Sequence, residues 1–264
     1  MKITTKDILS YKPKKKITVL STYDFPFAKL ADESGADIIL VGDSVGMVCL
    51  GYDSTLPVTM RDMLHHVKAV ARAVKHALVV ADMPFGSFQE SAEKAVRNAK
   101  RFVKEAGAQA VKLEGGESVL KQVKALVQAG IPVMGHLGMT PQSVTQLGGY
   151  KVQGKLKKDA DQMLSDALAL EKAGAFSIVL ECVPYRLAET ITKKLRIPTI
   201  GIGAGPATDG QVLVLHDLLG FKSGVSPRFV RRYLDLDQNI RTAISKFKRD
   251  VEAKTFPSLK ESFE

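Results

Sequence analysis

The stretch EAGAQAVKLEGG, residues 105–116, decides the fold. It opens on the end of an amphipathic helix, breaks at Gly107 where a left-handed cap belongs, and then runs through AVKLE into a glycine pair. Inside that short strand Lys112 and Glu114 stand two positions apart, so both side chains leave it on the same face. A buried charge pair is costly unless partners surround it. The stretch therefore reads as a strand that delivers two charges into a site.

The same grammar returns along the chain. ESGADIILVGDS (33–44), KHALVVADMP (75–84), QAGIPVMGHLG (128–138), KAGAFSIVLECV (172–183) and LRIPTIGIGAG (195–205) each pass from a small-residue turn through a short apolar run to a polar or glycine stop. Nearly continuous Val, Ile and Leu runs of this kind are expected of parallel strands buried on both faces. Gly35, Gly107, Gly130 and Gly174 punctuate the helices before them. ITVLSTYD (17–24) and QVLVLHD (211–217) bring the strand candidates to eight, and Thr59 with Asp62 predicts the capped start of a helix striped by Met60, Met63, Val67, Val70 and Val74. Eight βα units in one chain of this size predict an α/β fold, a (β/α)8 TIM barrel, with a doubly wound open sheet as the alternative.

Composition bounds what such a barrel can do. With 45% hydrophobic and 25% charged residues, the 264-residue chain reads as a single domain over 1–264, with a short helix near residues 4–10, a last packing helix carrying Ile240, Ile244, Phe247 and Val251, and a polar tail after Phe256. Cys49 and Cys182 lack a CxxC spacing and fit a reducing, cytoplasmic setting, and no apolar run approaches the roughly 18 residues of a membrane span. The net charge of +10 sits on Lys14–Lys16, on solvated helix faces and in the C-terminal RRYLDLDQNIRTAISKFKRD. Without zinc-finger spacing or an aromatic-interleaved basic run, it predicts neither a nucleic-acid nor a membrane partner.

In a barrel the carboxyl ends of the strands converge, so residues far apart in sequence meet. The strand ends here carry Asp24, Asp43 with Ser44, Asp82, Lys112 with Glu114, His136 and Glu181. Alternation places Ile39, Val41 and Asp43 on one face, as it does Leu78, Val80 and Asp82. Carboxylates crowded at one mouth repel each other unless a cation neutralises them. Asp43, Asp82 and Glu114 offer hard oxygen donors suited to Mg²⁺, although each alone also reads as a cap or turn residue. Zinc fits less well, since His65 and His66 lie on a helix and His136 has no Cys or His beside it. Lys112 would anchor a carboxylate or keto oxygen, or else pair with Glu114. His136 could bind the same anion. Glu181, flanked by apolar residues, suits general-base work or a further ligand role. GIGAGPATDG (201–210) lacks the GK[ST] ending of a phosphate loop and reads as a tight turn.

These residues carry a resemblance. TYDFPFAKLADESGADIILVGDSVGMV, ADMPFGSF, AVKLEGG, PVMGHLGMTPQSV, GGYKVQG, VLECVP and IPTIGIGAGPATDGQVLVLHDLLG, in this order between about residues 17 and 230, resemble the signature segments of the ketopantoate hydroxymethyltransferase family. Met139 and Thr208 depart from the family pattern, and neither is a candidate site residue. The resemblance implies a barrel of the phosphoenolpyruvate mutase-like superfamily that transfers the one-carbon unit of 5,10-methylenetetrahydrofolate to 3-methyl-2-oxobutanoate, giving 2-dehydropantoate and tetrahydrofolate in pantothenate biosynthesis. It further implies Mg²⁺ at Asp43, Asp82 and Glu114, ketoacid contacts from Asp43, Ser44, Asp82 and Lys112, an active-site His136, an enolate made when Glu181 accepts a proton, and a homo-oligomer, commonly a decamer. A carbon–carbon lyase or phosphonopyruvate-type enzyme of the same superfamily and a non-catalytic basic binding protein are the alternatives.

Overall fold

The apolar runs become eight strands: β1 (Ile17–Ser21), β2 (Ile38–Val41), β3 (Leu78–Asp82), β4 (Ala110–Glu114), β5 (Val133–Gly138), β6 (Ser177–Glu181), β7 (Thr199–Ile202) and β8 (Gly210–Val214). In the computed structural model, which describes residues 2–221 and 227–263, they pair in sequence order, all parallel, and β8 closes on β1. An open sheet is thereby excluded. Helices α1 (Thr5–Tyr11), α2 (Phe25–Glu33), α3 (Val45–Val48), α4 (Met60–Ala73), α5 (Ala92–Ala106), α6 (Leu120–Gln128), α7 (Lys157–Ala173) and α8 (Tyr185–Lys194) complete the barrel unit. The expected start signals hold: Thr59 and Asp62 form a capping box on α4, and Met63, Val67 and Val70 bury its stripe. Gly107 and Gly174 end α5 and α7 in the left-handed conformation.

The barrel interior is a packed core. Ile17, Val19, Ile38, Leu40, Leu78, Val80, Ala110, Met134, Val179, Ile200 and Val212 form one buried cluster, and Ile8 of α1 joins it from the side where the strands begin. The segment after α1 is tied down by Lys12, whose ammonium donates to the carbonyls of Thr192 (2.7 Å) and Ile197 (3.1 Å) and pairs with Asp209 at 3.1 Å.

The interior membership corrects one expectation. On β2 it is Ile38 and Leu40 that face inward, so Ile39 and Val41 point to the helical layer and alternation does not carry Asp43 into the barrel. The strand stops at Val41, and Asp43 swings to the mouth from the turn that follows. Gly42 makes that turn possible, since a Cβ there would lie 2.8 Å from Ser44 Oγ and 3.2 Å from Ser21 Oγ.

Within the span expected as one domain over 1–264, packing gathers the residues into two compact units, Met1–Val214 and Leu215–Glu264. The second contains α9 (Leu215–Leu219) and α10 (Leu236–Glu252), which Asp235 caps. α10 forms where expected; of its apolar stripe Ile240 is half-buried, and Ile244, Phe247 and Val251 are exposed. Phe247 and Phe256 meet edge to face, with ring centroids 5.3 Å apart.

Truncating the plug of the barrel core should be costly. Ile8→Ala removes three carbons from a site with no solvent exposure and should destabilise the fold by about 2–5 kcal/mol. The midpoint of urea unfolding, at unchanged slope, measures this, and an unmoved midpoint would show that α1 does not seal the core.

Candidate active site

Strand register builds the site. Asp82 is the Cα partner of Lys112, and Glu114 the partner of His136, so four polar side chains from three adjacent strands stand side by side at the carboxyl end of the barrel. All four are buried, as is Asp43. Lys112 Nζ lies 2.8 Å from Asp82 Oδ1, 3.8 Å from Glu114 Oε1 and 3.2 Å from His136 Nδ1. His136 spans the gap to β6, with Nδ1 3.4 Å from Glu114 Oε1 and Nε2 3.2 Å from Glu181 Oε2. Asp43 joins through its backbone N–H, which donates to Asp82 Oδ2 at 3.2 Å. Ser44 stands next to it, half-buried, its hydroxyl 2.7 Å from that of Tyr23.

The backbone pins Glu181 in place. Its carbonyl accepts from Met139 N–H at 2.8 Å, and the close approach needs glycine at 138, where φ is +96° and a Cβ would sit 2.2 Å from that oxygen. Cys182, the next residue, is held at φ +49°, a conformation that persists only where its surroundings enforce it. Glu181 is less buried than the rest, with 18% of its side chain exposed, so its apolar sequence neighbours do not enclose it.

Charge is out of balance here. Three buried carboxylates face one ammonium. Burial, together with the charges of Asp82 and Glu114, pushes the Asp43 carboxyl well above the usual carboxylate range, and burial followed by Glu114 raises Asp82 despite Lys112. Glu114 goes the other way: burial opposes ionisation, but His136 and Lys112 hold it below its usual value. Lys112 is itself disfavoured by burial yet raised overall by Asp82, Glu114 and Asp43. Burial and Lys112 work against protonating His136, and its contacts with Glu114 and Glu181 raise it nonetheless.

The candidates Asp82, Lys112, Glu114, His136 and Glu181 thus lie at the strand tips, and Asp43 and Ser44 in the turn that follows β2. Asp24 does not take part: it caps α2, accepting from Phe27 N–H at 2.9 Å. Two contributors carry no sequence signal of their own. Tyr23 is fully buried behind Ser44. Gln142, in the turn Pro141–Ser143 after β5, donates from Nε2 to Asp43 Oδ2 (2.8 Å) and from its backbone to Glu114 Oε2 (3.0 Å). Extending the strand-tip search into the βα loops would have found it. A separate groove along the outer face of α5, lined by Arg97, Arg101 and Lys104, gathers no buried polar group.

The donor chemistry fits a hard cation. Asp82 Oδ1 and Glu114 Oε1 are buried with Lys112 and His136 beside them, and the three buried carboxylates outnumber the one ammonium they face. Among the described residues, no three His, Cys, Asp or Glu side chains form a ready-made cage. Mg²⁺ needs no such cage, because water and substrate usually complete its coordination beside the carboxylates.

This imbalance has a measurable consequence without metal. Because the Asp43 carboxyl is raised from its ordinary 3.8 in the fold, its contribution favours folding at low pH and is lost as pH climbs through the raised value. Asp43→Asn should therefore stabilise the chelator-treated protein at pH 8 by on the order of 1 kcal/mol, about 2–4 °C in melting temperature. The gain should vanish at acid pH. Melting curves across pH test it, and a gain independent of pH would contradict the charge account.

Comparison with known proteins adds the family. The chain matches the ketopantoate hydroxymethyltransferase family over residues 2–259. It is 57% identical over 263 residues to 3-methyl-2-oxobutanoate hydroxymethyltransferase of Syntrophus aciditrophicus, covering 99% of this chain and 97% of that one. It is 59% identical over 248 residues to the enzyme of the same name from Carboxydothermus hydrogenoformans, covering 94% and 90%. Among solved structures it resembles 2,3-dimethylmalate lyase, a PEP mutase/isocitrate lyase superfamily member, with TM-score 0.65 at 18% identity over 94% of this chain and 88% of that one. Phosphonopyruvate hydrolase, solved with oxalate and Mg²⁺, gives 0.63 at 14% identity over 98% and 93%. The structural likenesses establish the barrel fold, and the sequence matches establish more: the chain belongs to the ketopantoate hydroxymethyltransferase family, enzymes of hydroxymethyl transfer in pantothenate biosynthesis.

Proposed function

We propose that the strand-tip cluster performs this transfer on 3-methyl-2-oxobutanoate, with Asp43, Asp82 and Glu114 holding Mg²⁺, Asp43, Ser44, Asp82, Lys112 and His136 contacting the ketoacid, and Glu181 acting as the base. The observation that carries the reading is the excess of buried carboxylate at the mouth, where Asp43, Asp82 and Glu114 face the single ammonium of Lys112. Bound there, Mg²⁺ supplies Lewis-acid polarisation of a keto oxygen, which acidifies the adjacent carbon. The similar phosphonopyruvate hydrolase, solved with oxalate and Mg²⁺, is in keeping with this.

The side chains divide the remaining work. Lys112, kept protonated by three carboxylates, offers its ammonium to the substrate's anionic end. Ser44, supported by Tyr23, supplies a neutral hydroxyl beside it. Glu181 takes the proton from C3 of the ketoacid, and His136, 3.2 Å from it, fixes the orientation of the carboxylate. The electron pair left on C3 forms the new carbon–carbon bond to the methylene carbon of 5,10-methylenetetrahydrofolate. As that carbon parts from N5 and N10 it takes the hydroxyl of one water, and the two nitrogens take up the remaining water proton and the proton held by Glu181, giving 2-dehydropantoate and tetrahydrofolate. Of the glycine turns at 148–149 and 201–205, the first is open at Gly149, where a Cβ would meet nothing within 4 Å, and would suit the bulky folate, whereas Gly205 packs against Tyr185.

Two further parts of the reading concern setting. We place the enzyme in the cytoplasm, supported by free Cys49 and Cys182 and by the lack, among the described residues, of a helix long and apolar enough to cross a membrane. We also infer a homo-oligomer, a decamer by resemblance to the family, and the exposed apolar residues of α10 are consistent with subunit contact.

Exchange of the C3 hydrogen of the ketoacid in D₂O isolates the proton step from folate chemistry. It should require Mg²⁺, and Glu181→Gln should slow it by about 10²–10⁴-fold while leaving Mg²⁺ and ketoacid binding near normal. Undiminished exchange in that variant would remove Glu181 as the base. Exchange indifferent to chelation would remove the metal.

A further inference from the structure

One chain of hydrogen bonds at the mouth runs from main chain to carboxylate through two amides. The backbone N–H of Gly86 donates to Gln89 Oε1 at 2.8 Å, and Phe88 N–H donates to the same oxygen at 3.4 Å. Gln89 Nε2 donates to Gln142 Oε1 at 3.0 Å. Gln142 Nε2 then donates to Asp43 Oδ2 at 2.8 Å and to the Met83 carbonyl at 2.9 Å.

The direction of this chain is forced at both ends. A backbone N–H can only donate, so the amide end of Gln89 that faces Gly86 must be its oxygen, and its NH₂ must face Gln142. Gln142 therefore presents its oxygen to Gln89 and its NH₂ to Asp43 and Met83, both pure acceptors. No alternative flip of either amide satisfies the neighbours. Gln142 is buried, with 6% exposure, and its backbone N–H separately fixes Glu114 Oε2.

The arrangement does something an ion pair could not. A cation against Asp43 would orient its carboxylate and cancel its charge. A neutral amide orients one oxygen and leaves the charge for another partner. From this geometry we propose that Gln142, locked by Gln89, is a positioning residue that presents Asp43 and Glu114 as oriented, still-charged ligands to the divalent cation. The inference rests on the Mg²⁺ reading of the cluster above, and Gln89, which touches none of the proposed ligands, lets the two be separated.

The test is titration of the full-length protein with Mg²⁺ by isothermal calorimetry, with melting temperature as a parallel readout. Gln142→Leu should weaken Mg²⁺ binding by about 10–100-fold, the usual cost of removing a partner that orients a metal ligand. Gln89→Leu should weaken it in the same direction by a smaller factor, and its C3-exchange rate should recover as Mg²⁺ is raised, because the ligands themselves remain. Should Gln142→Leu fail to fold, Gln89→Leu decides alone. Wild-type affinity in Gln89→Leu, or in a folded Gln142→Leu, overturns the positioning role, as does a fall in melting temperature with no change in affinity. Failure of the unaltered protein to bind Mg²⁺ instead overturns the metal reading on which this one stands.

Discussion

The register between β3, β4 and β5 is the constraint from which the site follows. Parallel pairing sets Asp82 beside Lys112 and Glu114 beside His136. A slip of one residue would turn each of these side chains from the barrel mouth into the helical layer. The apolar residues beneath them prevent the slip. Val80, Ala110 and Met134 belong to the interior cluster, and exchanging them for their neighbours would expose the interior to a different set of volumes along three strands at once. The hydrophobic core is thus the device that aims the charges.

Aim alone does not settle a buried cluster. Lys112 at 2.8 Å from Asp82 offsets part of the desolvation of both, but two carboxylates remain in excess, and burial keeps their mutual repulsion from being screened. The raised Asp43 and Asp82 carboxyls express that tension. Loops after the strands supply the remaining order: Gln142 reaches across from the turn after β5, and Gly138 with Cys182 holds the backbone that carries Glu181. The barrel gives the site its ring of positions, and the loops give it orientation.

Legibility in the sequence follows the same division. The eight strands, the closed barrel and the caps at Thr59, Gly107 and Gly174 were readable because each has a local cause: continuous apolar runs, a hydroxyl at a helix start, a glycine at its end. Asp82, Lys112, Glu114, His136 and Glu181 were readable because each lies within the last residues of a strand whose period is fixed. Asp43 lies at the mouth although the parity argument for it does not hold, since the strand ends before it. Gln142 and Tyr23 were not readable from strand period. A glutamine in a turn and a tyrosine after a strand have no periodic context, and the contacts that tie them to Asp43 and Ser44 span 99 and 21 residues. The stripe of α10 had the period of a packed face, yet periodicity reports that a face is apolar without reporting what covers it.

The charge of the whole chain and the charge of the mouth point in opposite directions, and the proposed reaction uses both. A formal +10 favours the approach of anions such as a ketoacid or a folate. At the strand tips those anions would meet Asp43, Asp82 and Glu114, against which Lys112 alone leaves a negative balance. A substrate carboxylate could not settle there unless a further positive charge inverted the local sign. On the proposed reading a divalent cation makes that inversion, and Lys112 and His136 then flank the anion instead of merely compensating the protein's own acids. The excess of acid at the mouth, unfavourable to the empty fold, thereby becomes the condition for binding an anion through a cation.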